Sequence, residues 1–285
     1  MAFSQRRIEL RTDFADLDTL LGGLTAPTLF VIASRPSHGK TSLALNIARN
    51  VAVGQGAQAA IFSLEMNEEQ LMGRLLASES GLDSTRLRVG SYTEADEQKM
   101  LHAKGVLAEA DIHIARAPVC PIDDLCDQVR RLHSRNRLDL VVFDYVELIP
   151  PREDNEVRDS TAQDDVARSM WELSRELGAV VIACLHLPVA PELRVPHVPK
   201  LSDLEGSGGM DDYADVVAFV YREDMYTTEE EWRRIHPNQH YPKGTAQIII
   251  AKHRNGPTGV VTLRFRKDIT RFEDLATRQP EPAYE

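Results

Sequence analysis

The segment at residues 34–41 constrains the fold of this chain most, because its chemistry requires a fixed structural setting. Its sequence, SRPSHGKT, fits the pattern G-x-x-x-x-G-K-S/T except at the first glycine. In that pattern backbone N–H groups surround phosphate oxygens at the start of a helix, a lysine contacts the terminal phosphates and a hydroxyl binds Mg²⁺. The pattern therefore predicts a strand, a phosphate-binding loop and a helix in succession. A solvated turn that contains Gly39-Lys40-Thr41 by chance is the alternative.

Short apolar runs recur along the chain and predict strands that are buried on both faces of a parallel sheet. They cover residues 28–33, 59–64, 138–143, 179–184 and 215–221. Between the first two runs, Leu43, Ile47 and Val51 share one helical stripe, and Asn67 before EEQ predicts a capping box. This alternation predicts an α/β fold with a doubly wound, mostly parallel sheet.

The last part of the chain predicts a different element. Residues 245–251 and 259–266 flank the turn sequence Asn255-Gly256-Pro257, so we expect a C-terminal β-hairpin that closes the sheet. No repeat or linker divides the chain. We expect an N-terminal extension over residues 1–13, one domain over 14–275 and a flexible tail over 276–285.

Composition limits the kinds of partner. The 33 basic and 44 acidic residues give a net charge of -11, which argues against nucleic acid coating the whole surface but leaves room for a basic channel. The apolar runs are far shorter than the roughly 20 residues of a membrane helix, and no signal peptide is indicated. We expect a cytoplasmic protein without a membrane partner. The three cysteines, Cys120, Cys126 and Cys184, are interpreted as reduced and non-functional.

Two carboxylates follow predicted strands. Asp144 ends the run LVVFD, where a P-loop enzyme places its second Mg²⁺-organising carboxylate. Glu65 ends the run AAIFSLE, a position that suits a general base acting on the attacking water. Considered alone, Asp144 has the alternative of capping the next segment, and Glu65 that of a surface glutamate without a catalytic role.

Five segments taken in order resemble the motifs of the DnaB-like replicative DNA helicases, from about Phe14 to Phe272. They are SRPSHGKTSLALNIA, IFSLEM, VVFDYVEL, DLEGSG and IIIAKHRNGPTG. The resemblance implies a RecA-like P-loop NTPase that uses ATP and Mg²⁺. It places Lys40 and Thr41 on phosphate and Mg²⁺, Asp144 on the metal through water, and Glu65 as catalytic base. The implied nucleotide-binding residues are Ser34, Arg35, Pro36, Ser37, His38, Gly39, Lys40, Thr41 and Ser42.

The same resemblance implies a site shared between subunits. KHRNG is similar to a family segment that reaches the neighbour's nucleotide site, with Arg254 as the arginine finger and Lys252 as its companion on the γ-phosphate. His186 stands where most bacterial relatives carry a glutamine sensor of γ-phosphate, and resembles the histidine of the phage helicase-primase and mitochondrial branch. Two solvated cations and a core histidine are the respective alternatives.

The predicted DNA loop departs from the family pattern, because Glu205 occupies a position where relatives present arginine to the DNA backbone. Backbone N–H groups of Gly206, Ser207 and Gly208 remain candidates for holding a phosphate. Arg194 and Lys200 lie in the neighbouring loop and are further candidates for binding DNA.

These observations favour a ring-forming, hexameric ATP-dependent helicase motor on single-stranded DNA, for which the resemblance implies 5′ to 3′ movement. Primase or a helicase loader are further candidate partners. One alternative is a regulatory or assembly ATPase that has lost efficient unwinding, and Glu205 is the residue that separates the two. A recombination or signalling ATPase of the RecA-like or KaiC-like kind is a third, which the FSLEM and KHRNG segments disfavour.

Overall fold

The computed structural model describes residues 8–116, 119–150, 160–204 and 209–275. The predicted tail at 276–285 lies outside the described residues, as do Gly206, Ser207 and Gly208 of the predicted DNA loop. In the described part the strands are β1 (Glu9–Leu10), β2 (Leu24–Thr25), β3 (Thr28–Ser34), β4 (Ala59–Ser63), β5 (Ile112–Arg116), β6 (Leu140–Asp144), β7 (Val180–His186), β8 (Val216–Tyr221), β9 (Thr245–His253), β10 (Gly259–Arg266) and β11 (Arg271–Asp274).

The helices alternate with these strands over most of the chain. In the same residues they are α1 (Ala15–Leu21), α2 (Lys40–Gln55), α3 (Glu68–Ser80), α4 (Ser84–Val89), α5 (Glu94–Glu109), α6 (Ile122–Asn136), α7 (Ser160–Leu177), α8 (Met210–Tyr213) and α9 (Glu229–Ile235). Short 3₁₀ turns cover Val146–Leu148, Ala190–Leu193, Leu201–Leu204, Glu223–Met225 and Lys267–Ile269.

Most of the described strands form one sheet, in the order β11-β10-β9-β8-β3-β7-β6-β4-β5. The strands from β8 to β5 in that order are mutually parallel, whereas β9, β10 and β11 continue the sheet in antiparallel pairings. Parallel neighbours need crossover connections, which helices supply on both faces. The predicted α/β fold, the five predicted buried strands and the closing hairpin of β9 and β10 are confirmed.

The core forms two layers, one on each face of the sheet. Alternate residues of β3 point to opposite faces: Phe30 and Ile32 join one layer, and Leu29, Val31 and Ala33 join the other. The first layer includes the predicted stripe of α2, with Leu43, Ile47 and Val51. The second includes Leu125 and Val129 of α6 and Met170 and Leu173 of α7. Strands buried on both faces therefore fix the positions of the loops at their ends.

The start of α3 shows the predicted capping box. The Asn67 side chain accepts a hydrogen bond from the Gln70 backbone N–H at 2.9 Å, and Gln70 accepts from the Asn67 N–H at 3.0 Å. These reciprocal bonds satisfy two N–H groups that have no partner inside the helix. They define where the chain leaves the β4 end and begins α3.

The described part of the predicted N-terminal extension packs on the rest of the chain. Strand β1 pairs with β2 in antiparallel register, and the side chains of Leu10 and Thr12 are buried. Thr12 donates to Asp18 through its backbone N–H and its hydroxyl, at 2.7 and 2.8 Å. Residues 8–13 are thus part of the folded unit. No helix in the described ranges is long and apolar enough to cross a membrane.

Candidate nucleotide-binding site

The phosphate loop, residues 34–41, joins the end of β3 to the first turn of α2, as the sequence predicts. The backbone is left-handed at Ser37 (φ 67°) and at Gly39 (φ 106°). Turns of this kind gather N–H groups into concave anion-binding arrays. Helix α2 begins at Lys40 without a side-chain cap and without an acidic residue in its first turn. Its positive dipole end is therefore available to an anion.

The strand register brings the predicted site residues to one edge of the sheet. Ser34 at the end of β3 is level with His186 at the end of β7, and Asp144 at the end of β6 is level with Ser63 of β4. Glu65 follows β4 by two residues. In open α/β sheets, ligands bind outside the carboxyl ends of the strands. The structure therefore brings four of the predicted residues to the carboxyl ends of neighbouring strands, a region here called the crevice.

Lys40, Thr41 and Asp144 are in direct contact at this edge. The Thr41 hydroxyl lies 3.1 and 3.0 Å from the two carboxylate oxygens of Asp144. Lys40 Nζ lies 3.5 Å from Asp144 Oδ1, and both side chains are almost fully buried. The ammonium also lies 4.7 Å from the ring centroid of Tyr145, within cation–π range. A hydroxyl and a carboxylate side by side are the oxygen ligands that suit Mg²⁺, so these residues fit the predicted metal.

Glu65 is exposed at the mouth of the crevice, where solvent water is accessible. Its negative charge, with those of Glu147 and Asp144, adds to the larger effect of burial in raising the pKa of the Tyr145 hydroxyl above its ordinary value. The Tyr145 ring is thus within cation–π range of the Lys40 ammonium and within electrostatic reach of three carboxylates. Glu65 and Lys40 thus both act electrostatically on Tyr145.

His186 lies partly buried beside the same tyrosine. The two rings meet edge to face with centroids 4.3 Å apart. Burial, reinforced by the positive charge of Lys40, lowers the pKa of His186 from 6.5 to about 4. The imidazole is consequently neutral near pH 7 and has one N–H to donate, which is the property that the sensor prediction requires.

Sequence reasoning missed two residues of this crevice. Tyr145 contacts both Lys40 and His186, as described above. Glu147 accepts a hydrogen bond from the backbone N–H of His186, and burial raises the pKa of its carboxyl group. Both lie in the VVFDYVEL segment, where their position directly after a strand that ends at the metal-site carboxylate was the available clue.

Two side chains of the phosphate loop are bonded to other parts of the chain. Arg35 donates to the Leu187 carbonyl and to Glu192, each at 2.7 Å. His38 is buried, and its Nδ1 accepts from the Arg222 N–H at 3.2 Å. The remaining predicted loop residues are Pro36 and Ser37, which are exposed, and Ser34 and Ser42, which are buried. In this arrangement the Arg35 guanidinium is bound to Glu192, which a phosphate would have to displace, and His38 could reach a nucleotide only through its backbone.

Lys252 and Arg254 lie near the amino-terminal ends of the parallel strands, whereas the phosphate loop lies at the carboxyl end of β3. Lys252 pairs with Val217 of β8, and the Arg254 N–H donates to the Asp215 carbonyl at 2.8 Å. Asp215 in turn pairs with Leu29 near the start of β3. From Leu29 to Ser34 the strand runs roughly 16 Å. Lys252 and Arg254, the residues predicted to contact a γ-phosphate, are thus separated from the phosphate loop of their own subunit by the length of β3.

The side chains of Lys252 and Arg254 both bind residues 211–215 of their own chain. Lys252 Nζ donates to the carbonyls of Asp211 and Asp212, at 2.5 and 3.2 Å. The Arg254 guanidinium lies 3.2 Å from the Asp212 carbonyl and 3.4 Å from the buried Asp215 carboxylate. Its side chain is 44% exposed. The long distances and the exposure leave the guanidinium accessible from outside the subunit.

Arg194 and Lys200, both predicted to bind DNA, differ in their surroundings. Arg194 makes a bidentate ion pair with Asp203, with both distances 2.6 Å, and also donates to the Val198 carbonyl. Its guanidinium thus braces its own loop. Lys200 is exposed, and its backbone N–H donates to Asp203 at 2.7 Å. Their part in DNA binding stays a prediction.

Comparison with known proteins finds the family that the sequence motifs resemble. The family model described as the DnaB-like helicase C terminal domain matches residues 9–274. Replicative DNA helicase DnaB of Geobacillus stearothermophilus is 38% identical over 270 residues, which are 95% of this chain and 57% of that protein. Replicative DNA helicase DnaC of Bacillus subtilis (strain 168) is 38% identical over 94% of this chain and 57% of its own length. The chain thus spans a little over half the length of these relatives.

Two solved structures share the fold. A structure described as an ATPase domain superposes with a TM-score of 0.84 and 29% identity, covering 93% of this chain and 91% of that one. A DnaB-like replicative helicase, described with its interactions with primase, gives a TM-score of 0.84 and 29% identity over 93% of this chain and 62% of that one. The α/β architecture is accordingly RecA-like. With a family model that matches nearly the whole chain, the protein belongs to the DnaB-like helicase C-terminal domain family.

Proposed function

We propose that this chain is the ATP-hydrolysing motor of a ring-forming DNA helicase, with each active site shared between two subunits. One observation carries the proposal: Lys40, Thr41 and Asp144 are in contact at the carboxyl ends of the parallel strands, where Glu65 also follows β4, whereas Arg254 is exposed near the opposite strand ends. A subunit with complementary halves of one site on opposite edges joins its copies head to tail. Such heterologous contacts close into rings, of which we propose a hexamer.

The residues at the phosphate-loop edge each have a role in this site. Lys40 would contact the terminal phosphates of ATP, and the N–H groups at the start of α2 would hold phosphate oxygens. Thr41 would hold Mg²⁺ directly and Asp144 would hold it through water. When bound, Mg²⁺ neutralises charge on the phosphate oxygens. The contact between the Thr41 hydroxyl and Asp144 already holds these ligands together.

Glu65 is proposed as the general base. Its carboxylate would accept a proton from the water that attacks the γ-phosphorus, and its exposed position gives that water access. The neutral imidazole of His186 would donate a hydrogen bond to the γ-phosphate. The backbone N–H of His186 donates to Glu147 in the turn that follows β6, so a displacement of His186 would be transmitted to that turn.

Arg254 would act on the neighbouring subunit's ATP. Charge accumulates on the transferred phosphoryl group, and a positioned guanidinium stabilises it. Lys252 would accompany it on the γ-phosphate. The comparatively long contacts of Arg254 with its own subunit leave donors free for this purpose.

The proposed polymer substrate is single-stranded DNA, translocated 5′ to 3′ through the ring. Its support is membership of the family and the similarity to replicative DNA helicases over nearly the whole chain. Arg194, Lys200 and the segment at 206–208 are the proposed contacts. Primase is a proposed partner because a similar solved structure is described with its interactions with primase. A helicase loader is proposed on the family resemblance alone.

Subunit mixing tests the shared site. The Glu65→Gln and Arg254→Ala proteins should each be nearly inactive as ATPases. In an equal mixture that exchanges subunits, about one boundary in four pairs an intact Glu65 with an intact Arg254. ATP turnover should therefore recover to roughly a quarter of the wild-type rate if the sites act independently.

The matched control mixes Glu65→Gln with Lys40→Ala. Both changes damage the same half of the site, so no boundary is complete and turnover should stay at the level of the separate proteins. Native mass measurement confirms that mixed oligomers form. Absence of recovery in mixed oligomers, or full turnover by isolated wild-type monomers, would refute the shared site. An active ring that single-stranded DNA neither binds nor stimulates would favour the regulatory ATPase instead.

A further inference from the structure

The loop that follows β7, residues 187–204 and here called the rim loop, is attached to the phosphate loop by an ion pair. Arg35 Nε donates to Glu192 Oε1 at 2.7 Å, and Arg35 Nη1 donates to the Leu187 carbonyl at 2.7 Å. The Leu187 N–H donates to the Ser34 carbonyl at 2.9 Å, so Leu187 is fixed to the end of β3. Of these three bonds, the one to Glu192 spans from the phosphate loop to the turn Ala190–Leu193.

A row of aromatic rings makes a second attachment. His38 of the phosphate loop lies against Tyr226, with ring centroids 5.4 Å apart, and Tyr226 stacks on His197 of the rim loop at 4.4 Å. His197 Nδ1 lies 3.2 Å from the Pro191 carbonyl, next to Glu192 in sequence. Arg35 directly, and His38 through Tyr226 and His197, thus connect the phosphate loop to the same turn of the rim loop.

The rim loop is braced internally. Arg194 joins Asp203 through two bonds of 2.6 Å, and Asp203 also accepts from the Lys200 N–H at 2.7 Å. The turn that carries Glu192 is therefore connected to the part of the loop that carries Lys200. A displacement of Glu192 should move the rim loop as a unit, because these bonds resist its deformation.

We propose that Glu192 is a positioning residue that couples occupancy of the phosphate loop to the position of the rim loop, acting through Arg35. This inference rests on the proposed function. A polyphosphate at the loop competes with the Glu192 carboxylate for the Arg35 guanidinium, since arginine binds both groups in the same bidentate manner. Arg35 then has two discrete partners, and the rim loop is held when it binds Glu192 and released when it does not.

The coupling is reciprocal and its size is bounded by the ion pair. If nucleotide changes the affinity of the rim loop for single-stranded DNA, DNA changes the affinity for nucleotide by the same factor. The Arg35 and Glu192 side chains are 17% and 39% exposed. Pairs with this exposure contribute little, so loss of the pair should change the coupling factor by about two- to fivefold.

Glu192→Gln tests the proposal because it keeps the shape of the side chain and removes its charge. Affinity for a fluorescent single-stranded oligonucleotide is measured with and without a non-hydrolysable ATP analogue. The ratio of the two affinities should move toward one by about two- to fivefold, because the nucleotide-free DNA affinity shifts toward the analogue-bound value, whereas basal ATP turnover and the analogue-bound DNA affinity stay at wild-type values. Glu192→Lys, which repels Arg35, should move the ratio further toward one. Glu230→Gln, an exposed glutamate of α9, is the matched control and should match wild type.

Hydrogen exchange supplies a readout that does not depend on DNA. In wild type, the analogue should change the exchange of amides in the rim loop, and Glu192→Gln should reduce that change. A merely structural role would alter stability or both affinities equally and leave their ratio at the wild-type value, which would overturn the proposal. So would unchanged rim-loop exchange in a wild type that binds the analogue. Failure of wild type to bind the analogue would overturn the proposed function, and this inference with it.

Discussion

Replacing Gly39 with alanine adds one methyl group where the phosphate loop turns into α2. A Cβ built on Gly39 would lie 3.0 Å from Cζ of Phe272 and 3.3 Å from Cζ of Phe265. These two rings are buried and stack with centroids 4.5 Å apart. Protein interiors are close-packed, so neither ring can yield without disturbing its own neighbours. The backbone at Gly39 is also in a conformation, φ 106°, that side chains rarely adopt.

The two effects can be added. Backbone strain at such a position costs about 1–3 kcal/mol, and overpacking costs about 1–3 kcal/mol. We therefore expect Gly39→Ala to lower the free energy of unfolding by roughly 2–6 kcal/mol, measured by urea denaturation without nucleotide. Gly81→Ala is the matched control, because Gly81 has φ 68° but no atom within 4 Å of its added Cβ. It should cost only the backbone strain, about 1–3 kcal/mol.

A double variant isolates the steric part. Phe272→Leu shortens the side chain that the new methyl group meets, so its effect and that of Gly39→Ala should be non-additive by about 0.5–3 kcal/mol. The combined loss of stability should be smaller than the sum of the separate losses. A Gly39→Ala cost no greater than that of Gly81→Ala, or strict additivity in the double variant, would show that this reasoning about the loop is wrong.

Two further predictions concern buried charges near the phosphate loop. Burial, reinforced by Arg222, lowers the pKa of His38 from 6.5 to about 4, so the unfolded chain binds the proton first as pH falls. The free energy of unfolding should decrease between about pH 6.5 and pH 4 by about 1–3 kcal/mol through this group, and His38→Gln should remove that part of the decrease in urea titrations. Asp224→Asn should cost about 3 kcal/mol, because Arg222 and Asp224 are only 6% and 9% exposed and an unpaired buried guanidinium remains. The exposed pair of Glu229 and Arg233 is the comparison: Glu229→Gln should change stability by less than about 0.5 kcal/mol, and equal costs would contradict both estimates.

The strands that were predictable are those buried on both faces. Each of these strands is a continuous apolar run, which can be recognised without knowing its neighbours in the sheet. The sequence therefore predicts β3, β4, β6, β7 and β8 from these runs alone. Strand β5, with the sequence IHIAR, lies at the edge of the sheet and was missed, because one side of an edge strand has no neighbour and tolerates polar residues. Strands β1, β2 and β11 are two to four residues long and too short to show a period.

The part of the site that could be predicted from the sequence is the part formed by recognisable local motifs. The contact between Thr41 and Asp144 follows from a phosphate loop and a strand end that share one sheet edge. The partners of Arg35 and His38 were not predictable, since Glu192 and Arg222 are 157 and 184 residues away in sequence. Only folding brings such residues together, and no local pattern records the pairing. Asp215 beside Arg254 is a third case of the same kind.

The pair formed by Lys40 and Asp144 shows that this edge of the sheet is built for a ligand rather than for stability. Their side chains are 4% and 2% exposed, yet the ammonium and the carboxylate are 3.5 Å apart, well beyond the roughly 2.8 Å of a good charge-assisted hydrogen bond. Such a pair does not recover the desolvation of both charges, and apolar residues of similar size would pack at lower cost. Under the proposed function, the phosphates of ATP would contact Lys40, and Asp144 would face Mg²⁺ through water. Each buried group then gains an opposite charge at close range, so binding relieves a penalty that the free protein bears and stabilises the folded chain by mass action.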